Sequence, residues 1–322
     1  MRPSFRFLHK HKKSFQILAY CLAWYAASAL TNNINKVILS EYPYPVVLTW
    51  AQFLFTSLSS FALLKATCAK ITAFQWNMAL SFIPLCFLMI LGHVLTSVSL
   101  SFMGVSMVHT IKGLAPLFTV TISVLFKGHK YSNDVYKALV PLTLGVLLTC
   151  YSETAFHKIG VLAAMSSTVV FSIKDLFSKQ IISHFHKQMG KLLYMFYASL
   201  FSMSLLTIYQ LFYPFQTSSD KGTLVFSINL EHKMTFFVFT LFIFDGLSHF
   251  MQSYFAVSVL ALVSAVAYSI ASLGKRLIVI SSSILFFGDQ ISFVKVFGIS
   301  LSFWGIFLYN NAKNDRSRIL PL

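Results

Sequence analysis

Ten apolar runs of about twenty residues succeed one another along this 322-residue chain, at roughly 16–38, 44–65, 76–98, 103–126, 136–152, 159–182, 191–213, 235–258, 262–287 and 292–311. Crossing ~30 Å of hydrocarbon takes about 20 helical residues. Inside a bilayer, every backbone N–H and C=O has to find its partner within the protein. The runs therefore predict an all-α integral membrane protein of ten spanning helices. Most connections are short; the exception is a polar stretch at about 214–234. Composition agrees, because 11% charged residues against 57% hydrophobic cannot cover a water-facing surface, which in soluble domains takes roughly 25%.

A net charge of +16 would suit a nucleic-acid binder, but the location of the basic residues argues against one. They sit mainly in the short connections, where Lys and Arg set membrane orientation. With the N-terminus in the cytosol, sixteen of the 25 lie on that side (Arg2, Arg6, Lys10, Lys12, Lys13, Lys65, Lys70, Lys127, Lys130, Lys137, Lys179, Lys187, Lys191, Lys313, Arg316 and Arg318). Five lie opposite: Lys36, Lys158, Lys221, Lys233 and Lys295. Both termini are thus expected in the cytosol, as an even helix number requires. The basic segment 1–15 reads as a cytosolic flank, with no cleavage site and no transit peptide, and 312–322 as a cytosolic tail. Cys21, Cys68, Cys86 and Cys150 show no metal-ligand spacing, so neither metal nor cofactor is expected.

The chain also repeats itself. Leu125-Phe126-Lys127-Gly128-His129-Lys130-Tyr131-Ser132 reads against Leu285-Phe286-Phe287-Gly288-Asp289-Gln290-Ile291-Ser292, and the same shift sets Gly145 on Gly305 and Leu148 on Leu308. Thr110-Ile111 matches Ser269-Ile270, and Asn35-Lys36-Val37-Ile38 resembles Ser178-Lys179-Gln180-Ile181. Two halves follow, 16–152 and 153–311, with five helices each. Five is odd, so the second half inserts upside down relative to the first. Inverted repeats are how many secondary transporters build two interchangeable conformations around a midplane site.

Ionisable groups inside spanning helices are costly and mark function by default. Here they are Lys112 in the fourth segment, Lys174 and Asp175 in the sixth, Asp245 in the eighth, and Lys275 and Arg276 in the ninth. Their excess of positive charge suits a substrate with about two negative charges, as a phosphate monoester has near pH 7. Lys112 and the Lys275-Arg276 pair occupy equivalent helices of the two halves, so they are expected to converge. His109, Lys112 and Pro116 share one helical face; Tyr268, Ser272 and Lys275 share another. Arginine can grip phosphate oxygens bidentately, whereas lysine acts as a point charge. Pro116 and Gly274 are expected to loosen the helix beside the ligand. The structural alternative has the cations paired with Asp175 and Asp245, although Lys174 and Asp175 leave their helix about 100° apart and so suggest separate partners. Further cavity or gate candidates are Asn35 and Lys36, which close the first helix, and His249, which shares a face with Asp245.

At these residues the sequence resembles the triose-phosphate translocator family of the drug/metabolite transporter superfamily. The resemblance covers nearly the whole chain. It is carried by Asn35-Lys36, by His109-Thr110-Ile111-Lys112 with Pro116-Leu117-Phe118-Thr119-Val120, and by Tyr268-Ser269-Ile270 through Lys275-Arg276. The Lys-Arg dipeptide looks like the phosphate-translocating branch. Asp245-Gly246-Leu247-Ser248-His249-Phe250 looks most like fungal members of the endoplasmic reticulum and Golgi. The resemblance implies counter-exchange of a phosphorylated sugar or triose against inorganic phosphate. Lys112, Lys275 and Arg276 would hold the phosphate, and His109, Thr110 and Tyr268 would contact the rest. Two positions depart from the pattern: Ala115, where many plastid members have glutamate, and the charged Lys174-Asp175 pair.

Two other readings compete. A nucleotide-sugar/nucleotide monophosphate antiporter would need room and stacking surface for a base. A non-transporting secretory-pathway scaffold would gain nothing from cations within the membrane. An enzyme finds no metal cluster and no nucleophile–base motif here. Proton coupling through His109, Asp245 or His249 stays open.

Overall fold

The computed structural model describes residues 4–68, 76–128, 130–152, 157–185, 190–212, 235–263, 265–289 and 291–319, and all regular structure among them is helical. In chain order the helices are α1 (Ser4–Glu41), α2 (Pro45–Ala66), α3 (Trp76–Phe102), α4 (Val105–Ile111), a 3-10 turn (Lys112–Leu114), α5 (Ala115–Lys127) and α6 (Asn133–Tyr151). There follow α7 (Lys158–Phe185), α8 (Lys191–Phe212), α9 (Phe236–Leu262), α10 (Ala265–Phe287) and α11 (Phe293–Ile319). All ten predicted segments are helices, and only the fourth is broken. The connection expected at 214–234 lies outside the described residues.

Helices α1 and α11 continue into the basic flank and tail, because hydropathy marks the apolar part of a helix and lysine and arginine are themselves good helix formers. Among the described residues, seven segments are long and apolar enough to cross a membrane by themselves: α2, α3, α4 to α5, α6, α8, α9 and α11. Outside that set fall α1, α7 and α10, the helices that carry Asn35-Lys36, Lys174-Asp175 and Lys275-Arg276.

Packing interleaves the two halves of the chain: α1 lies along α9, α3 along α7, α2 along α8, and α6 along α11. The closest approach is between α6 and α11. A Cβ on Gly145 would run into the backbone of Ser302 and Gly298, one on Gly298 into Thr149, and one on Gly305 into Leu142. Residue numbers rise along one helix as they fall along the other, so the pair is antiparallel. Small residues at the crossing replace the hydrophobic drive that lipid cannot supply.

Two turns end the helices that precede this pair. Gly128 closes α5 with φ 64°, and Gly288 follows α10 with φ 65°. Both adopt the left-handed conformation open to glycine. Ser132 and Ser292 then lead into α6 and α11.

A candidate anion site beside the α4–α5 break

The break in the fourth segment has a local cause. Pro116 lacks an N–H, so the Lys112 carbonyl has no α-helical donor four residues on. A tighter bond from the Ala115 N–H takes its place, and the chain turns through Lys112–Leu114 as a 3-10 helix. The expected loosening at Pro116 is found. At Gly274 it is not: α10 runs unbroken, and the missing side chain instead admits Tyr25, whose hydroxyl would lie 2.8 Å from a Cβ there.

This geometry brings the two cationic segments together. The Arg276 guanidinium donates to the Lys112 carbonyl. The Lys112 ammonium donates to Thr96 Oγ1 at 2.8 Å and lies 5.2 Å from the centre of the Phe171 ring. Lys174 approaches that same ring at 5.7 Å. Lys275 sits 5.3 Å from the Trp24 ring, which stacks on Tyr268 at 5.3 Å between centroids. Such cation–ring contacts stabilise ammonium groups by roughly 0.5–2 kcal/mol, and the aromatic residues shelter these half-buried charges.

Lys174 departs from expectation. Its ammonium bridges its own neighbour, Asp175 Oδ1, at 2.6 Å. The divergence of successive side chains on a helix fixes only where they leave the backbone, and four methylenes bring the lysine head back to the carboxylate.

A cavity of about 380 Å³ opens beside these groups, within the usual size range for small-molecule sites. Its walls come from α2, α3, α7, α8, α9 and α10, and include His93, Lys174, Asp175, Tyr194, His249 and Tyr268. It lies toward the end of the bundle where α7 and α9 finish and α8 and α10 begin. Of the predicted site residues, Lys174, Asp175, His249 and Tyr268 line it; Lys112, Lys275 and Arg276 are not among its lining residues. His93 and Thr96 in α3 escape a reading of the sequence, where single polar residues in an apolar helix carry no signal of what they face.

Of the remaining candidates, His109 and Asp245 hold helices to one another. His109 is buried and its Nε2 pairs with Asn32 Oδ1 at 2.8 Å. Thr110 donates to the Ser106 carbonyl of its own helix, and so is spent locally. Ser272 is half-buried in α10.

Asp245, only 1% exposed, pairs with amides and not with a cation: Gln52 Nε2 donates to its Oδ2 at 3.0 Å. With its amide turned so that nitrogen faces the carboxylate, Asn35 donates to Oδ1 at 2.7 Å. His249 Nδ1 meets Thr56 Oγ1 at 3.1 Å and its ring packs edge-on to His93.

At the opposite end of the bundle, Lys36 donates to the Leu100 carbonyl at 2.7 Å and Ser106 donates to Asp289 Oδ2 at 2.7 Å. Lys295 stands 4.0 Å from that same carboxylate oxygen. These contacts tie α1 to α3, and the start of α4 to the α10–α11 turn. Among the described residues, no group of His, Cys, Asp or Glu is placed to hold a metal ion.

Comparison with known proteins bears on what such an arrangement serves. A family model, the Triose-phosphate Transporter family, matches residues 15–310. A Schizosaccharomyces pombe protein named only as a transporter is 35% identical over 95% of this chain and 68% of its own length. The phosphoenolpyruvate/phosphate translocator 3 of Oryza sativa is 30% identical over 94% of this chain and 76% of its own. The glucose-6-phosphate/phosphate translocator 1 of Arabidopsis thaliana is 27% identical over 94% of this chain and 76% of its own. One crystal structure, 14% identical, superposes with a TM-score of 0.54 over 94% of this chain and 98% of that chain, which shows a shared fold alone.

Proposed function

The chain belongs to the triose-phosphate transporter family, a family of membrane transporters, and on that premise we propose that it exchanges a phosphorylated sugar or triose for inorganic phosphate by alternating access. The observation that carries the reading is a linked cluster of cations: Lys112 shares the Phe171 ring with Lys174, Lys275 lies on the Trp24 ring that stacks on Tyr268, and Arg276 donates to the Lys112 carbonyl. Lys174 and Tyr268 line the cavity, where Asp175 is the single carboxylate among the described residues. Asp245 does not offset them, since Gln52 and Asn35 hold it. Cations left in excess within a membrane are costly. A phosphate dianion compensates that excess. Lys112, Lys275 and Arg276 take its oxygens, with Tyr268 and His109 ordering the surroundings.

Exchange follows from the same charges. Without an anion the cations repel one another, so reorientation of the empty carrier is slow. With a dianion in place the repulsion is relieved. Inversion of the two five-helix halves gives the two-fold relation that alternating access uses. Several contacts support it: a shift of 160 residues carries Gly145 onto Gly305, and so turns the Gly145–Ser302 contact into the Gly305–Leu142 contact. The same shift carries Gly128, at φ 64°, onto Gly288, at φ 65°. We assign the protein to an endomembrane, the endoplasmic reticulum or Golgi, with both termini cytosolic. Support comes from the uneven Lys and Arg distribution and the Asp245–Phe250 motif.

The test is uptake of labelled phosphate by proteoliposomes of the purified protein, preloaded in turn with phosphate, triose phosphates, phosphoenolpyruvate, hexose phosphates, and nucleotide sugars with their monophosphates. Uptake that depends on particular internal sugar phosphates is the expected result. Equally fast uptake into empty vesicles sinks the exchange mechanism. A nucleotide monophosphate that exchanges for its sugar conjugate while phosphate stays still replaces the substrate class. No movement from a folded preparation would return the scaffold reading.

A further inference from the structure

The cavity wall carries both signs of charge, and the pair responsible sits on α7. Lys174 and Asp175 line the cavity together and are bridged at 2.6 Å through Oδ1. The Asp175 side chain is 65% exposed, and the residue lines the cavity.

Three consequences follow for anything bound there. First, the Lys174 ammonium is already occupied, so it does not offer a free positive charge to a second anionic group of the substrate. Second, a carboxylate in a cavity is acceptor-only, with capacity for several donors. Hydroxyl groups satisfy it. Third, it repels another carboxylate, and in a cavity of restricted solvent that repulsion is stronger than in bulk water. The neighbouring wall adds further groups able to exchange hydrogen bonds with hydroxyls, among them Ser178, Tyr194, Ser199 and Ser253.

We infer that the Lys174–Asp175 pair is a selectivity element: it admits an organic phosphate whose remaining groups are hydroxyls, a polyhydroxylated sugar phosphate, and disfavours one that carries a carboxylate beside its phosphate. The inference rests on the exchanger reading above and narrows it. The names of the relatives span both classes, phosphoenolpyruvate/phosphate and glucose-6-phosphate/phosphate translocators. Of the two, Asp175 matches the second. The phosphate end sits toward Lys112, Lys275 and Arg276, and the hydroxylated end toward α7 and α8.

The experiment compares uptake of labelled glucose 6-phosphate and of labelled phosphoenolpyruvate by proteoliposomes loaded with phosphate. Phosphate–phosphate exchange in the same vesicles serves as the reference. Wild type is expected to favour glucose 6-phosphate. Asp175→Asn removes the repelling charge and frees Lys174, so the ratio should move toward phosphoenolpyruvate by about tenfold, the size of one hydrogen bond to a charged group. Asp175→Glu keeps the charge and should keep the preference.

If phosphate–phosphate exchange is absent from wild type, the exchanger reading itself fails. If that exchange is present and wild type favours phosphoenolpyruvate, or Asp175→Asn leaves the ratio where it was, the selectivity inference is overturned alone. Should Asp175→Asn fail to transport, the purified variant can be compared with wild type by thermal stabilisation with each of the two compounds. A shift of relative stabilisation toward phosphoenolpyruvate then supports the inference, and an unchanged ratio overturns it.

Discussion

The Arg276 guanidinium donates to the backbone carbonyl of Lys112, 164 residues earlier in the chain. That carbonyl also accepts from the Ala115 N–H, and its second lone pair is open to Arg276 because Pro116 brings no N–H of its own. One proline thus prepares an acceptor, and one arginine from α10 occupies it. Arginine has five N–H donors on a planar fork, so it can hold the carbonyl and still present donors to an anion. Lysine offers its three donors from a single point, without the planar fork that grips phosphate oxygens bidentately.

Arg276→Lys is therefore expected to cut phosphate exchange by roughly tenfold or more, the loss of at least one charge-assisted hydrogen bond, although the net charge is conserved. Exchange rates in proteoliposomes, measured beside the melting temperature in detergent, decide the matter. Near-normal exchange by this variant would remove Arg276 from the site.

A separate expectation concerns the α6–α11 crossing. Gly145→Leu drives a side chain into the Ser302 and Gly298 backbone, an overpacking that costs about 1–3 kcal/mol. The melting temperature should fall clearly. Gly190→Leu, at an exposed position with open space around it, is the control and should be silent. Equal melting for the two variants would contradict the close approach.

Asp245 and Gln52 should behave as one unit. Replacing either by leucine leaves the other a buried polar group with one partner fewer, Asn35 alone remaining, a loss of about 1–3 kcal/mol. Replacing both removes the conflict, so the double variant should cost less than the two single variants together. Simple additivity of the unfolding free energies would show that the contact carries no coupling.

At the end of the bundle away from the cavity, Asp289 draws together Ser106 and Lys295. The proposed exchange cycle opens that end once per turnover. Asp289→Ala removes the tie and should favour the conformation open there. The readout is the rate at which a membrane-impermeant thiol reagent labels a cysteine placed at Met103, which is 2% exposed. Labelling is expected to rise several-fold over the same cysteine beside an intact Asp289. No change would show that Asp289 does not hold that end shut.

Much of this is legible in the sequence. The ten segments can be read because a bilayer forces apolar length on every crossing, and the break at the fourth because proline removes a known donor. What hydropathy does not encode is which helix stands opposite which. The partner of Asp245 is therefore out of reach: Gln52 lies 193 residues away in α2, amid an apolar run that gives it no prominence. His93 and Thr96 are hidden for the same reason. Lys174 and Asp175 stand out in the sequence as unusual yet read as diverging, because helical spacing places Cα atoms and says nothing of where a flexible ammonium ends.

The glycine crossing of α6 and α11 has one more consequence. Neither helix contributes a residue to the cavity wall. Where backbone meets backbone with no side chains between, there is no slack for one helix to slide along the other. Spin labels at the ends of this pair should keep their separation under every substrate condition, while labels across α3 and α9 should not. The proposed exchange cycle needs an axle, and Gly145, Gly298 and Gly305 mark this pair for the part.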